Sequence, residues 1–254
     1  MNWLKVIALT FLFLLLVPIL VLLYYGLGPL RTPVGYGPEV FRSVALSLVS
    51  SGVAAAVDVV AFTPLAYYLA RNRNSVTESL VDIPVSIPHP IIGVALLVIS
   101  SPITPVGAFL ISVGINLFNS ILGLVIALVV VSAPIYVKSL QPYFESRDPA
   151  PEHFAMGLGA SQLRTFLTVV LPDSSRSIVS GALVAMSRGL SEFGSIAILA
   201  YYVLQSPFYG VNPASVLIYQ YYSYFGLGAA VTTSVTLIVI SVPLAMAVRF
   251  VRRG

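Results

Sequence analysis

Apolar runs long enough to cross a bilayer alternate with short polar stretches along most of this chain. Residues 6–27, following Lys5, are 22 positions without a charge and as a helix would reach about 33 Å, the thickness of a hydrocarbon core. The run is long, and Tyr24-Tyr25-Gly26 offers no small-residue cleavage pattern, so a retained transmembrane helix is expected in place of a signal peptide. A loop rich in Gly and Pro covers 31–39. The second span is expected over 43–70, with Asp58 in its middle and the charged stop Arg71-Asn72-Arg73-Asn74 at its end. The third, 85–100, follows a segment in which Pro84, Pro88 and Pro90 fall within seven positions. Such a run cannot continue a regular helix, so the chain should enter the membrane through a broken or extended segment. Residues 101–119 are uncharged, carry Pro102, Pro105, Gly107 and Gly114, and are expected to dip partly into the bilayer. The remaining spans are 120–137, then 178–201 interrupted by Arg188 and Glu192, and finally 227–248 ending on Arg249, Arg252 and Arg253. Aromatic residues at 201–224 and at Tyr67-Tyr68 suit anchoring at the membrane interface.

The longest polar region is 138–176, and within it residues 151–172, PEHFAMGLGASQLRTFLTVVLP, have the pattern of two short helices. Asp148 can cap a helix that begins at Pro149, with Glu152 in a first turn whose dipole favours a carboxylate, and Gly159 fits its C-terminal cap. Ser161 can cap a second helix with Leu163, Phe166, Leu167 and Val170 turned inward, before Leu171-Pro172 leads back to the membrane. Phe154, Ala155 and Leu158 share one face of the first helix. An apolar face on a helix with no core of its own calls for a groove on another protein.

Composition fixes the class. The chain is 58% hydrophobic and 9% charged, with mean hydropathy +0.97, against roughly 25% charged residues in a soluble domain. An all-α integral membrane protein of six transmembrane helices follows, with residues 1–254 forming one transmembrane domain. The net charge of +4 and pI near 9.4 do not indicate nucleic acid, because the bases sit at span ends and meet membrane lipid. With the N-terminus inside, Lys5, Arg71, Arg73, Lys138, Arg147, Arg164, Arg176, Arg249, Arg252 and Arg253 lie on the cytoplasmic side, against Arg31 and Arg42 outside. That bias places both termini, and a loop over about 148–172, in the cytoplasm. There is no Cys, so disulfide, thiolate-metal and cysteine-nucleophile chemistry are absent.

Catalysis finds little support in the residues. Neither Lys5 nor Lys138 follows a Gly, so no GxxxxGK[ST] phosphate loop exists, and none of the Gly-x-Gly triplets at Gly26, Gly35, Gly157 and Gly226 completes GxGxxG. His89 and His153 lack the partners of a zinc site, and an intramembrane protease would need His89 to meet a Ser through folding. No metal or cofactor is expected in this chain. Ionisable groups inside spans are more informative, since burial in lipid costs about 2.5–3.5 kcal/mol each on insertion scales. Arg188 and Glu192, four positions apart, can pair on one helix face or line a polar path; Asp58 has no local partner and is either protonated or reaches Arg188 from a neighbouring helix; His89 packs or lines the path.

Glu152-x-x-Ala155-x-x-Leu158-Gly159-Ala160-Ser161, followed by Phe166 and Leu171-Pro172, resembles the EAA loop of binding-protein-dependent ABC importer permeases. His153-Phe154 departs from the small residue that many members carry after the Glu. The resemblance extends from about Arg42 to the C-terminus through Thr63-Pro64-Leu65-Ala66-Tyr67, Ile83-Pro84 with Ile87-Pro88, Gly93-Val94-Ala95-Leu96-Leu97 and Pro134-Ile135-Tyr136. Arg188-Gly189 with Ser191-Glu192-Phe193-Gly194 is similar to the molybdate/tungstate and sulfate branch. The resemblance implies a multi-pass inner-membrane homodimer carrying two ATP-binding cassette ATPase subunits, which hold ATP and Mg, and receiving an oxyanion from an external binding protein. It implies that Glu152, Ala155, Leu158, Gly159 and Ala160 couple to the ATPase, and that Pro88, Arg188, Ser191, Glu192, Phe193 and Gly194 lie along the translocation path. The substrate it implies is molybdate or tungstate, with sulfate or thiosulfate as the alternative. A stand-alone ion-coupled transporter or channel using Asp58 and Glu192 is the rival from another class.

Overall fold

The computed structural model describes residues 2–72 and 75–253, with backbone alone at 2, 240–242 and 244–253. Arg73 and Asn74 of the expected charged stop, and the side chains of Arg249, Arg252 and Arg253, lie outside the described residues. The elements run α1 (Asn2–Leu27), a 3-10 turn (Pro33–Tyr36), α2 (Pro38–Arg71), α3 (Ser75–Ser86), α4 (His89–Ile99), α5 (Pro105–Ser112), α6 (Ile121–Ser146), α7 (Ala150–Gly157), α8 (Gln162–Thr165), a wide π turn (Phe166–Val170), α9 (Leu171–Leu190), α10 (Ile196–Leu199), α11 (Ala214–Phe225) and α12 (Leu227–Arg253). Among the described residues, β pairing is limited to an isolated antiparallel bridge between Val203 and Val211.

The bundle is built on α2, α6 and α9. Lipid gives apolar side chains no reason to leave it, so close contact between membrane helices depends on small residues and interhelical hydrogen bonds. Helix α2 supplies both, burying Ser43, Ser47, Ser50, Ser51, Ala54, Ala55, Thr63 and Ala66 along its length. Ser43 donates to the Asn212 carbonyl at 2.6 Å, and Ser47 accepts from the Ala214 amide at 2.8 Å, tying the start of α11 to α2. Thr63 and the Tyr136 hydroxyl meet at 2.6 Å across α2 and α6. Tyr136, Leu140 and Phe144 of α6 complete one apolar cluster with Leu69 of α2 and Val170. A second cluster gathers Leu46, Leu124, Leu128, Leu199 and Val203 at the other end.

Among the described residues three helices are long and apolar enough to cross a membrane, α1 from Trp3, α2 and α6; α3 and α4 add a fourth span if counted as one broken pair, bent by 98°. The break expected from the proline run is present, but it falls at Ile87-Pro88, inside the expected 85–100 span, while Pro84 lies within α3. Most of helix α1 is exposed, as a helix surrounded by lipid can be, and it packs on α12, where Gly26 is buried beside Val231 and Val235.

Three expectations are corrected. The span at 178–201 is not one helix: α9 stops at Leu190 and α10 begins at Ile196, because Glu192 turns its carboxylate back to accept from the Ser195 amide at 2.9 Å and replaces the helical backbone bond there. Helix α6 does not end near Val137 but runs to Ser146, since Lys138 and Gln141 find Asp82 and Glu78 of α3 beside it. The 201–224 stretch contains α11, whose Tyr221 is buried and donates to Glu39 at 3.1 Å, so that ring serves packing as well as anchoring.

Candidate functional site

Two places collect the residues singled out in the sequence. The first is α7, at the end of the bundle that carries Arg71. Asp148 accepts from the Ala150 amide at 2.9 Å and opens the turn. At the other end Leu158 caps the helix and Gly159 follows at φ +88°. The Gly159 amide donates to the Met156 carbonyl at 2.9 Å and the Ala160 amide to the Ala155 carbonyl at 3.1 Å. This pair of reversed bonds is the Schellman stop, which requires a left-handed residue and so favours Gly.

Glu152 faces into the protein and is 8% exposed. Its Oε1 accepts from Arg71 at 2.5 Å and its Oε2 from the Tyr67 hydroxyl at 2.5 Å. Arg71 also donates to the carbonyls of Phe144 and Arg147, at 2.9 and 3.3 Å, beyond which α7 begins. The Tyr67 ring lies against Phe144 and Phe166, with centroids 5.5 and 5.3 Å away. Arg147 pairs with Asp173 at the start of α9. Helix α7 is thus pinned by Glu152 to the end of α2, where Arg71 and Arg147 also tie α2, α6 and α9 together. Tyr67, assigned to the interface from sequence, is one of its anchors, and neither its role nor that of Arg71 carried a local signal.

The opposite face is apolar and open. Phe154 is 71% exposed and Leu158 76%. Of the four residues expected inward on the second helix, Phe166 and Val170 are so placed, but Leu163 and Leu167 point outward. The π turn explains the difference: the inner stripe is Thr165, Val170 and Ser174, whose first step of five residues is the spacing of a π turn. Leu163 and Leu167 therefore lie on the outer side of the same segment.

The second place is where the two broken elements meet. Pro88 is the exposed N-cap of α4, and His89 and Pro90 lie against Gly194, where an added Cβ would come within 2.9 Å of the proline ring. An added Cβ on Gly93 would come 2.5 Å from the Ser195 carbonyl oxygen, so α4 rests directly on the backbone of the second break. Glu192, 1% exposed, is at the centre. Its Oε1 accepts from the amide and hydroxyl of Ser195, at 2.9 and 3.0 Å. Its Oε2 lies 2.9 Å from Arg188 Nη2 and 2.8 Å from His89 Nδ1. Arg188 donates through Nη1 to Ser191 at 3.2 Å, and Phe193 stacks on Tyr219 at 5.5 Å.

The expected Arg188–Glu192 pair is therefore present, joined by His89 from α4, a partner whose only sequence signal was its place between Pro88 and Pro90. Asp58 does not reach Arg188: its Oδ2 accepts from Ser132 of α6 at 2.5 Å, while Oδ1 has no hydrogen-bond partner among the described residues.

Residues 62–254 match the family described as binding-protein-dependent transport system inner membrane component. The chain is 34% identical to the molybdate/tungstate transport system permease protein WtpB of Pyrococcus abyssi, over 85% of this chain and 79% of the relative. It is 35% identical to the protein of the same name from Pyrococcus furiosus, over 85% and 80%. It is 28% identical to a probable sulfate transport system permease protein cysT of Nephroselmis olivacea, over 85% and 75%.

Proposed function

The chain belongs to the family of binding-protein-dependent transport system inner membrane components, and on that premise we propose that it is the permease subunit of an ATP-driven importer of molybdate or tungstate. The observation that carries the mechanism is the two-sided character of α7. One side is held by Arg71 and Tyr67, and the other offers Phe154 and Leu158, with Leu163 and Leu167 nearby, to a partner. The sequence has no phosphate loop, so ATP hydrolysis is assigned to a separate ATPase whose groove takes this face, with Ala155, Leu158, Gly159 and Ala160 setting its shape. Two permease copies and two ATPase subunits form the assembly, and an external protein delivers the anion.

Coupling then runs through defined contacts. A push on α7 reaches α2 through Glu152 and Arg71, and α9 through Phe166 against Tyr67, so the pinned ends move as a rigid body. The transport path passes the junction of the two breaks, where Pro88, Arg188, Ser191, Glu192, Phe193 and Gly194 are gathered. Discontinuous helices at a polar midpoint are a recurrent way to expose ligand groups inside a membrane.

Molybdate and tungstate are favoured over sulfate by the higher identity to permeases named for them. Sulfate remains a second reading because a sulfate permease is also similar over most of the chain. Uptake by the purified complex in vesicles, with molybdate, tungstate and sulfate each measured by elemental analysis, decides between them. ATP-dependent accumulation of the first two is expected; transport by this chain without an ATPase would overturn the proposal.

A further inference from the structure

We propose that Arg188 and His89 form an oxyanion-binding station in the path, with Glu192 as a built-in carboxylate that occupies their N–H donors when no anion is present. The proposal rests on the transport reading and places a pause of the anion on these side chains.

The depth order of the three groups is the first argument. The Glu192 side chain is 1% exposed, whereas those of Arg188 and His89 are 24% and 27% exposed. The carboxylate is thus at the rear, with the Arg188 guanidinium and the His89 ring at the mouth, so an arriving anion meets N–H donors first. The second argument is that Glu192 needs neither Arg188 nor His89 to stay in place. Its Oε1 is fixed by the Ser195 amide and hydroxyl, and its backbone carbonyl accepts from Ser215 at 2.5 Å. A pair that served packing alone would be complete with Arg188; here a second nitrogen, from another helix, is brought to the same oxygen.

Donor capacity is the third argument. The guanidinium has five N–H groups in a planar fork suited to tetrahedral oxyanions. With His89 in the tautomer whose Nδ1–H donates to Glu192, Arg188 Nη2 serves Glu192 and the free Nε2 of His89, and the contact to Ser191 uses one proton of Nη1. The remaining Nη1 proton and Nε–H are engaged by no hydrogen bond among the described residues. Helix α4 begins at His89, so the positive end of its dipole adds to the same potential. Other carboxylates on the neighbouring helices are turned elsewhere, Asp58 to Ser132 and Asp82 to Lys138. A transport site must bind strongly enough to receive its ion and weakly enough to release it. Glu192, in contact with both Arg188 and His89, supplies the weakening by reclaiming their donors.

The charge arrangement predicts opposite effects for neutral replacements, which a packing role would not. The assay is equilibrium binding of tungstate to the permease–ATPase complex without the external protein, together with ATP-driven uptake. Arg188→Gln should weaken tungstate binding by about ten- to hundredfold, the loss of one charge-assisted contact, with Arg188→Lys in between. Glu192→Gln should tighten binding severalfold while slowing uptake. His89→Gln should weaken binding less than Arg188→Gln. If Arg188→Gln does not assemble, Glu192→Gln alone decides, since unchanged or weaker binding there overturns the station. Movement of both variants in the same direction also overturns it. Wild-type complex that accumulates no oxyanion refutes the transport reading itself, whereas normal wild-type uptake with unaltered binding in both variants refutes only the station.

Discussion

Glu152 shows what a single residue's neighbours in sequence can and cannot disclose. Its place in the first turn of α7 was legible, because a carboxylate suits that end of a helix. That the same carboxylate turns inward was not, since Arg71 and Tyr67 are distant in sequence and become neighbours only when α2 and α6 pack. A charged pair at this depth couples its members strongly. Arg71→Ala and Glu152→Ala, measured by thermal unfolding in detergent, should therefore be non-additive by about 0.5–3 kcal/mol. A variant lacking Glu152 that still assembles should hydrolyse ATP with reduced uptake per ATP, which flux and phosphate release measured together would show. Similarly, Arg188 and Glu192 were readable as an i,i+4 pair, but His89 comes from another helix across the break.

At the scale of elements, caps and prolines were the reliable signals. Ser161 accepts from the Arg164 amide at 3.2 Å as its position predicts, Gly159 ends α7, and the proline run breaks α3 from α4. The break after Leu190 was hidden, because its cause is a side chain folding back on its own backbone within an apolar run. The outward leucines were hidden for a related reason, since an α-helical period does not anticipate a π turn. Leu158→Asp places a charge on an exposed position, so folding should be retained while ATPase subunits no longer co-purify. Gly93→Ala acts on a different contact. Its methyl would press on the Ser195 carbonyl, and destabilisation of about 1–3 kcal/mol is expected from overpacking, read as a lower unfolding temperature.

For the whole molecule, hydropathy was sufficient to identify a helical membrane protein, and the charge bias gave a sidedness that remains to be measured. The absence of Cys makes that measurement direct. In intact cells or oriented vesicles, Gln162→Cys should react with a membrane-impermeant maleimide only from the cytoplasmic side, and Tyr209→Cys only from the outside. Both positions are exposed, so labelling of the two from the same side would refute the proposed topology, and exchange of their sides would reverse it. The arrangement of helices around α2 was less legible, because the hydroxyl groups that tie α2 to α11 and α6 look in sequence like interruptions of an apolar run.

The contact of Gly93 with the backbone of Ser195 has a mechanical consequence. Two chain segments with almost no space between them cannot slide past each other without separating, so α4 and the turn that holds Glu192 must travel together. Relative displacement must then fall outside this contact, and the 98° bend between Ser86 and His89 is a break in the helical path beside it. His89 and Glu192, carried on the two segments so joined, stay in contact as those segments travel.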